Sequence, residues 1–118
     1  MTDPLQKIRE SALELPETEE RVSHGQPTFF VAGAQFAQFR DNHHGDGKTV
    51  VCVRTSGPDE QAMLLEADPE TYSKPAYLPS WIAIDVAGGD VDWEHVGTRI
   101  GASWELAAPR RLLEAGGR

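Results

Sequence analysis

Between Arg21 and Thr55 the helical spacing of apolar residues that opens the chain gives way to short runs rich in Phe and Val, cut by Gly25, Gly33, Gly45 and Gly47. Runs of that composition, punctuated by glycine, are strands and turns. Thr28–Ala32, Ala34–Arg40 and Thr49–Thr55 are therefore expected as antiparallel strands. Arg21–His24 reads as a short strand before a turn at Gly25-Gln26-Pro27, and Ala32-Gly33 as a tight hairpin. The wholly polar stretch 41–47 is expected to project as an exposed loop or wing.

Helices flank this region. Asp3 or Thr2 can cap a first turn that carries Pro4, and Leu5, Ile8, Ala12 and Leu15 recur at helical spacing, so a helix is expected over about residues 3–14. Pro16 ends it, and Glu17, Glu19 and Glu20 read as a solvated connector. Pro58, followed by Asp59 and Glu60, starts a second helix that runs to about Ala67. Prolines 69, 75 and 79 obstruct regular structure up to a strand over Trp81–Val86, where Ile82, Ile84 and Val86 share a face. Trp93, Val96, Ile100, Trp104 and Ala107 then mark a buried helical stripe capped by Asp90 or Asp92, and Arg110–Ala115 adds a further turn.

Helix, strands, helix, strand, helix describes an α+β two-layer sandwich, an antiparallel sheet of four to five strands beside three helical segments. The strand–long-helix alternation of a parallel nucleotide-binding sheet is missing. At 118 residues the whole chain, 1–118, reads as a single domain. No apolar run is long enough to cross a bilayer and the acidic N-terminus does not look like a secretory signal, so a cytoplasmic protein without a membrane partner is expected. The lone cysteine, Cys52, cannot form an internal disulfide, and in Val50-Val51-Cys52-Val53 it reads as buried apolar filler.

Four pieces, taken in order, carry a family resemblance: Ser23-His24-Gly25-Gln26-Pro27-Thr28-Phe29, the step Asp68-Pro69-Glu70, Trp81 opening a strand, and Ser103–Arg111. Together they resemble the MmcQ/YjbR-like family of small bacterial proteins. The resemblance implies a double-wing α+β fold with frataxin-like topology and a DNA partner. It implies no reaction and no cofactor.

The residues themselves offer several sites. Eleven basic against nineteen acidic side chains give a net charge of -8, which disfavours broad nonspecific DNA coating. If DNA is bound, Arg40, Lys48, Arg54, Arg110 and Arg111 are the expected phosphate contacts. The competing expectation is a small-molecule-binding protein or enzyme with a groove near His24, Arg54, Tyr77 and Trp81, where aromatic bodies with polar tips suit a partly wet concavity and an imidazole could act as acid or base. His24 reads equally as a turn residue, and Arg54 as one member of an ion pair. His43-His44, between Asp41 and Asp46, are metal-ligand types, but adjacent histidines on an extended loop tend to point apart, so no metal is expected there. The acidic run from Glu10 to Glu20 shows no convergence into a cation site. Arg99, Trp93 and Trp104 combine cations with π faces, yet helical spacing assigns the tryptophans to the core. The leading reading is a noncatalytic binding domain for DNA, a protein or a small ligand.

Overall fold

A computed structural model describes residues 3–114. The chain runs α1 (Pro4–Leu13), β1 (Thr18–Ser23), β2 (Gln26–Val31), β3 (Ala34–Asp41), β4 (Thr49–Val53), α2 (Pro58–Ala67), β5 (Tyr72–Ser73), β6 (Ile82–Asp85), α3 (Trp93–Ala107) and α4 (Arg110–Glu114), with a 3-10 turn at His43–Gly45. Six strands form one sheet in the order β1-β2-β3-β4-β6-β5, every neighbour antiparallel. The α+β sandwich is as expected, with one strand more than the upper count.

The additional strand, β5, and β1, which begins three residues before the short strand expected at Arg21–His24, lie at the two edges. Glu19 and Glu20 of the expected acidic connector belong to β1, where with Arg21 they pair in register with Phe30, Phe29 and Thr28, while Glu17 precedes the strand. An edge strand with one solvated side tolerates charges that a central strand would not, and Arg9 of α1 anchors Glu20 through a two-pronged ion pair of 2.7 and 2.8 Å. The turn that follows is His24-Gly25, both at positive φ, one residue earlier than the glycine–proline stretch suggested. Two left-handed residues in a two-residue hairpin match the twist of the flanking strands, and Ala32-Gly33 repeats the device. β5 is only two residues long and depends on β6 for its hydrogen bonds.

Helices α1 and α3 cover one face of the sheet. Asp3 caps α1 by accepting from Leu5 N at 3.1 Å, Ile8 and Ala12 are fully buried, and Asp92 caps α3 through His95 N at 3.1 Å. Phe29, Val31, Phe36, Val51, Ile82 and Ile84 meet Ile100 and Trp104 in this core. Trp104 has no exposure and its Nε1 donates to the carbonyl of Pro16 at 3.1 Å, whereas Trp93 is half-buried at the core's margin.

The other face, called the outer face here, has its own small apolar cluster. Val50, Cys52 and Ala83 are covered there by Leu78 and Trp81 from the proline-bracketed segment 74–81. That segment is pinned by a bond from the Thr55 hydroxyl to the Ser80 carbonyl and by Gln61 Nε2 donating to the Trp81 carbonyl at 2.7 Å. No helix among the described residues is long and apolar enough to cross a membrane.

Candidate functional site

Strict alternation would put Phe36 on the same face of β3 as Gln38 and Arg40. A bulge prevents this. The β2–β3 register passes from Phe29↔Ala37 to Phe30↔Gln35 and skips Phe36, so Phe36 and Ala37 both enter the core while Gln35, Gln38 and Arg40 line one outer-face cavity.

The cavity measures about 510 Å³. Gln35, Gln38 and Arg40 of β3 form its floor, His24 and Gln26 enter from the first hairpin, and His43, His44, Tyr77 and Leu78 close the remaining sides. Arg40 is only 6 % exposed. Its Nε donates to Gln38 Oε1 at 2.8 Å, Gln38 Nε2 donates to Thr28 Oγ1 at 3.0 Å, and Thr28 Oγ1 donates to the Gln26 carbonyl at 3.0 Å. This buried relay fixes the guanidinium. No carboxylate pairs with Arg40 among the described residues.

The 41–47 segment is not an extended wing. Asn42 and His44 adopt left-handed backbone, Asn42 N donates to the Lys48 carbonyl at 2.7 Å, and the compact turn brings the rings of His43 and His44 to 4.0 Å. The histidines thus lie together rather than apart, with the exposed Tyr77 ring edge-on at 6.3 Å from His43 and 5.8 Å from His44. Partial burial, with Arg40 and His44 adding positive charge nearby, holds His43 below the usual imidazole range, and Asp46 opposes them. Among the described residues no three or more His, Cys, Asp or Glu side chains converge on a metal-sized site.

His24, His44 and Tyr77 have φ values of 53°, 54° and 67°. Three of the cavity's lining residues therefore hold a conformation that costs a side-chain-bearing residue on the order of 1 kcal/mol.

A second cavity of about 130 Å³ shares Arg40 and His43 with the first. Lys48, Lys74 and Asp46 ring it, and Val50, Cys52 and Ala83 supply an apolar floor. Burial pushes the Cys52 thiol up to about 11, which leaves it a filler.

The sequence-derived positions separate. His24, Arg40 and Tyr77 meet in the larger cavity and Lys48 lines the smaller. Arg54 and Trp81 stand beside them as a pair, the guanidinium 5.6 Å from the ring centroid and Arg54 Nε on the Gln35 carbonyl at 2.8 Å. No ion pair forms at Arg54 among the described residues. Arg110 and Arg111 belong elsewhere, bound to Glu114 at 2.8 Å and to Glu17 at 2.7 and 2.8 Å. Gln35, Gln38 and Lys74 were not singled out from the sequence, although Gln38 and Arg40, two apart on a strand, had to share a face.

A cavity of about 620 Å³ lies at the far edge, walled by Asp68, Glu70, Asp85, Asp90 and Asp92 with His95. Three of its five carboxylates hold local backbone: Asp68, Asp85 and Asp92 accept from the N–H groups of Thr71, Ala87 and His95.

Comparison with known proteins follows the fold. The crystal structure of Deinococcus radiodurans protein DR2400, a DUF419 domain, is similar with a TM-score of 0.73 over 94% of this chain and 85% of that one, at 18% identity. A search of curated proteins finds no match. The YjbR family model matches residues 13–106, from the end of α1 through nearly all of α3. The chain belongs to the YjbR family.

Proposed function

We propose that this protein is a noncatalytic binding domain for a small anionic molecule, held in the outer-face cavity by Arg40. The observation that carries this reading is a guanidinium 6 % exposed, facing a cavity, without a carboxylate partner among the described residues. An unpaired buried charge costs several kcal/mol, which a bound anion would offset.

Charge distribution supports it. In a chain of net charge -8, Lys7, Arg40, Lys48, Arg54 and Lys74 pair with no carboxylate among the described residues, and all but Lys7 lie on or beside the outer face. Apart from His24, whose left-handed backbone the hairpin turn itself calls for, the cavity's rim holds two further side-chain-bearing residues at positive φ, His44 and Tyr77, and strain of that kind recurs at binding sites. A DNA partner draws less support, because Arg110 and Arg111 are neutralised by Glu114 and Glu17 and leave no continuous cationic track for successive phosphates.

The test is a thermal-shift and calorimetric titration of wild type and Arg40→Met with benzoate, phenyl phosphate and inorganic phosphate at low ionic strength. Wild type gains about 2.7 kcal/mol at a hundredfold excess over Kd, and the variant gains nothing. Absence of binding by every anion, or equal binding by the variant, removes this reading.

A further inference from the structure

We infer that the ligand is a phosphomonoester carrying a planar ring, with its phosphate in the smaller cavity and its ring in the larger. This rests on the anion-binding reading above and gives that anion its chemical class.

The two cavities differ in the way such a ligand requires, and Arg40 joins them. The smaller, about 130 Å³, has room for a phosphate and little else. It presents Arg40, Lys48 and Lys74 against one carboxylate, Asp46, whose Oδ1 already accepts from Lys48 N at 2.8 Å. Three cations to one anion leave a formal excess of two, which matches a phosphate dianion and exceeds what one carboxylate neutralises. Its floor of buried Val50, Cys52 and Ala83 keeps water from one side of the charge, where electrostatic attraction is stronger.

The larger cavity is oversized for an inorganic anion, but its 510 Å³ falls in the usual range for organic ligands. The rings of His43, His44 and Tyr77 give it an aromatic rim, and Leu78 adds apolar surface. Flat side chains clustered edge to face offer their faces to another flat group. The side-chain amides of Gln26 and Gln35 have no partner among the described residues, unlike Gln38, and can bond heteroatoms on the ring.

The experiment compares phenyl phosphate, cyclohexyl phosphate, inorganic phosphate and benzoate by calorimetry at about pH 7.5, where a phosphomonoester is mostly dianionic. Phenyl phosphate is expected to bind at least about tenfold more tightly than each of the other three. The double variant Lys48→Gln/Lys74→Gln, which alters two exposed side chains and leaves the core untouched, is expected to weaken phenyl phosphate by about tenfold or more and benzoate by less than about twofold. Benzoate binding as tightly as phenyl phosphate, or a double variant that binds phenyl phosphate normally, overturns the phosphate assignment and leaves the anion reading standing. Equal affinity for cyclohexyl and phenyl phosphate overturns the planar ring. Failure of all four probes overturns both readings together.

Discussion

Ser103 in the middle of α3 donates its hydroxyl proton to the carbonyl of Phe36, at 2.5 Å, at the residue that the β2–β3 register skips. The same oxygen accepts from Arg54 N at 2.8 Å. One fully buried hydroxyl therefore serves the bulge in β3 and the end of β4, and the bulge is what sends Phe36 inward and Gln35 outward. Ser103→Ala leaves a buried carbonyl and a backbone N–H without their partner, which predicts a loss of about 1–3 kcal/mol in chemical denaturation. A change below about 0.5 kcal/mol would mean that the bulge needs no support from the helix.

Arg40 follows the opposite logic. If the guanidinium is kept for a ligand, its replacement by an apolar side chain of similar length removes a desolvation cost, set against the loss of one buried hydrogen bond to Gln38 Oε1. Arg40→Met, with the desolvation gain offsetting the lost bond to Gln38, is predicted to stay within about 1 kcal/mol of wild-type stability in urea denaturation without ligand. A structural cross-link would instead lose about 3–5 kcal/mol on breakage.

Much of the fold was legible because the signals are local. The spacing of Ile8 and Ala12, of Val96, Ile100 and Trp104, and the proline–acid start at Pro58 each describe a helix that forms at those places. Arg21–Ser23 of β1 was legible as a short strand, but Thr18–Glu20 was obscured because a pattern of charges there belongs to an edge, and being an edge is a property of the whole sheet. The site was legible in part: His24, Arg40 and Tyr77 were candidates, yet they are 53 residues apart at the extremes and meet only through the bulge and the cover of segment 74–81. The burial of Arg40 and the left-handed backbone at His24, His44 and Tyr77 are tertiary facts that no local pattern carries.

On the anion-binding reading, His43 predicts a pH-dependent affinity. In the free protein its imidazole titrates below the usual range, because partial burial and the nearby Arg40 and His44 disfavour the cation more than Asp46 favours it. A bound anion favours the imidazolium, so the complex holds more protons than the free protein. Affinity for benzoate is then predicted to rise as pH falls below about 6.5, while the stability of the free protein falls over the same window. Calorimetry at about pH 8 and pH 5.5 checks the slope. His43→Gln should flatten it, and a slope unchanged in that variant would assign the proton elsewhere.

Cys52 should be inert in the native state. Its thiol is fully buried beneath Leu78 and Trp81 and pushed up to about 11, so little thiolate exists at pH 8. Iodoacetamide labelling followed by mass spectrometry should show slow native modification and fast modification in urea. Rapid native labelling would mean that segment 74–81 opens readily.

The central claim concerns a place, the outer-face cavity around Arg40, and nuclear magnetic resonance locates it most directly. Titration of 15N-labelled protein with phenyl phosphate is predicted to move the Arg40 Nε–H resonance and the Gln38 and His43 signals together, saturating with one affinity. Perturbations centred on Arg110 and Arg111, or on the carboxylate-lined cavity around Asp85 and His95, with Arg40 unmoved, would contradict it.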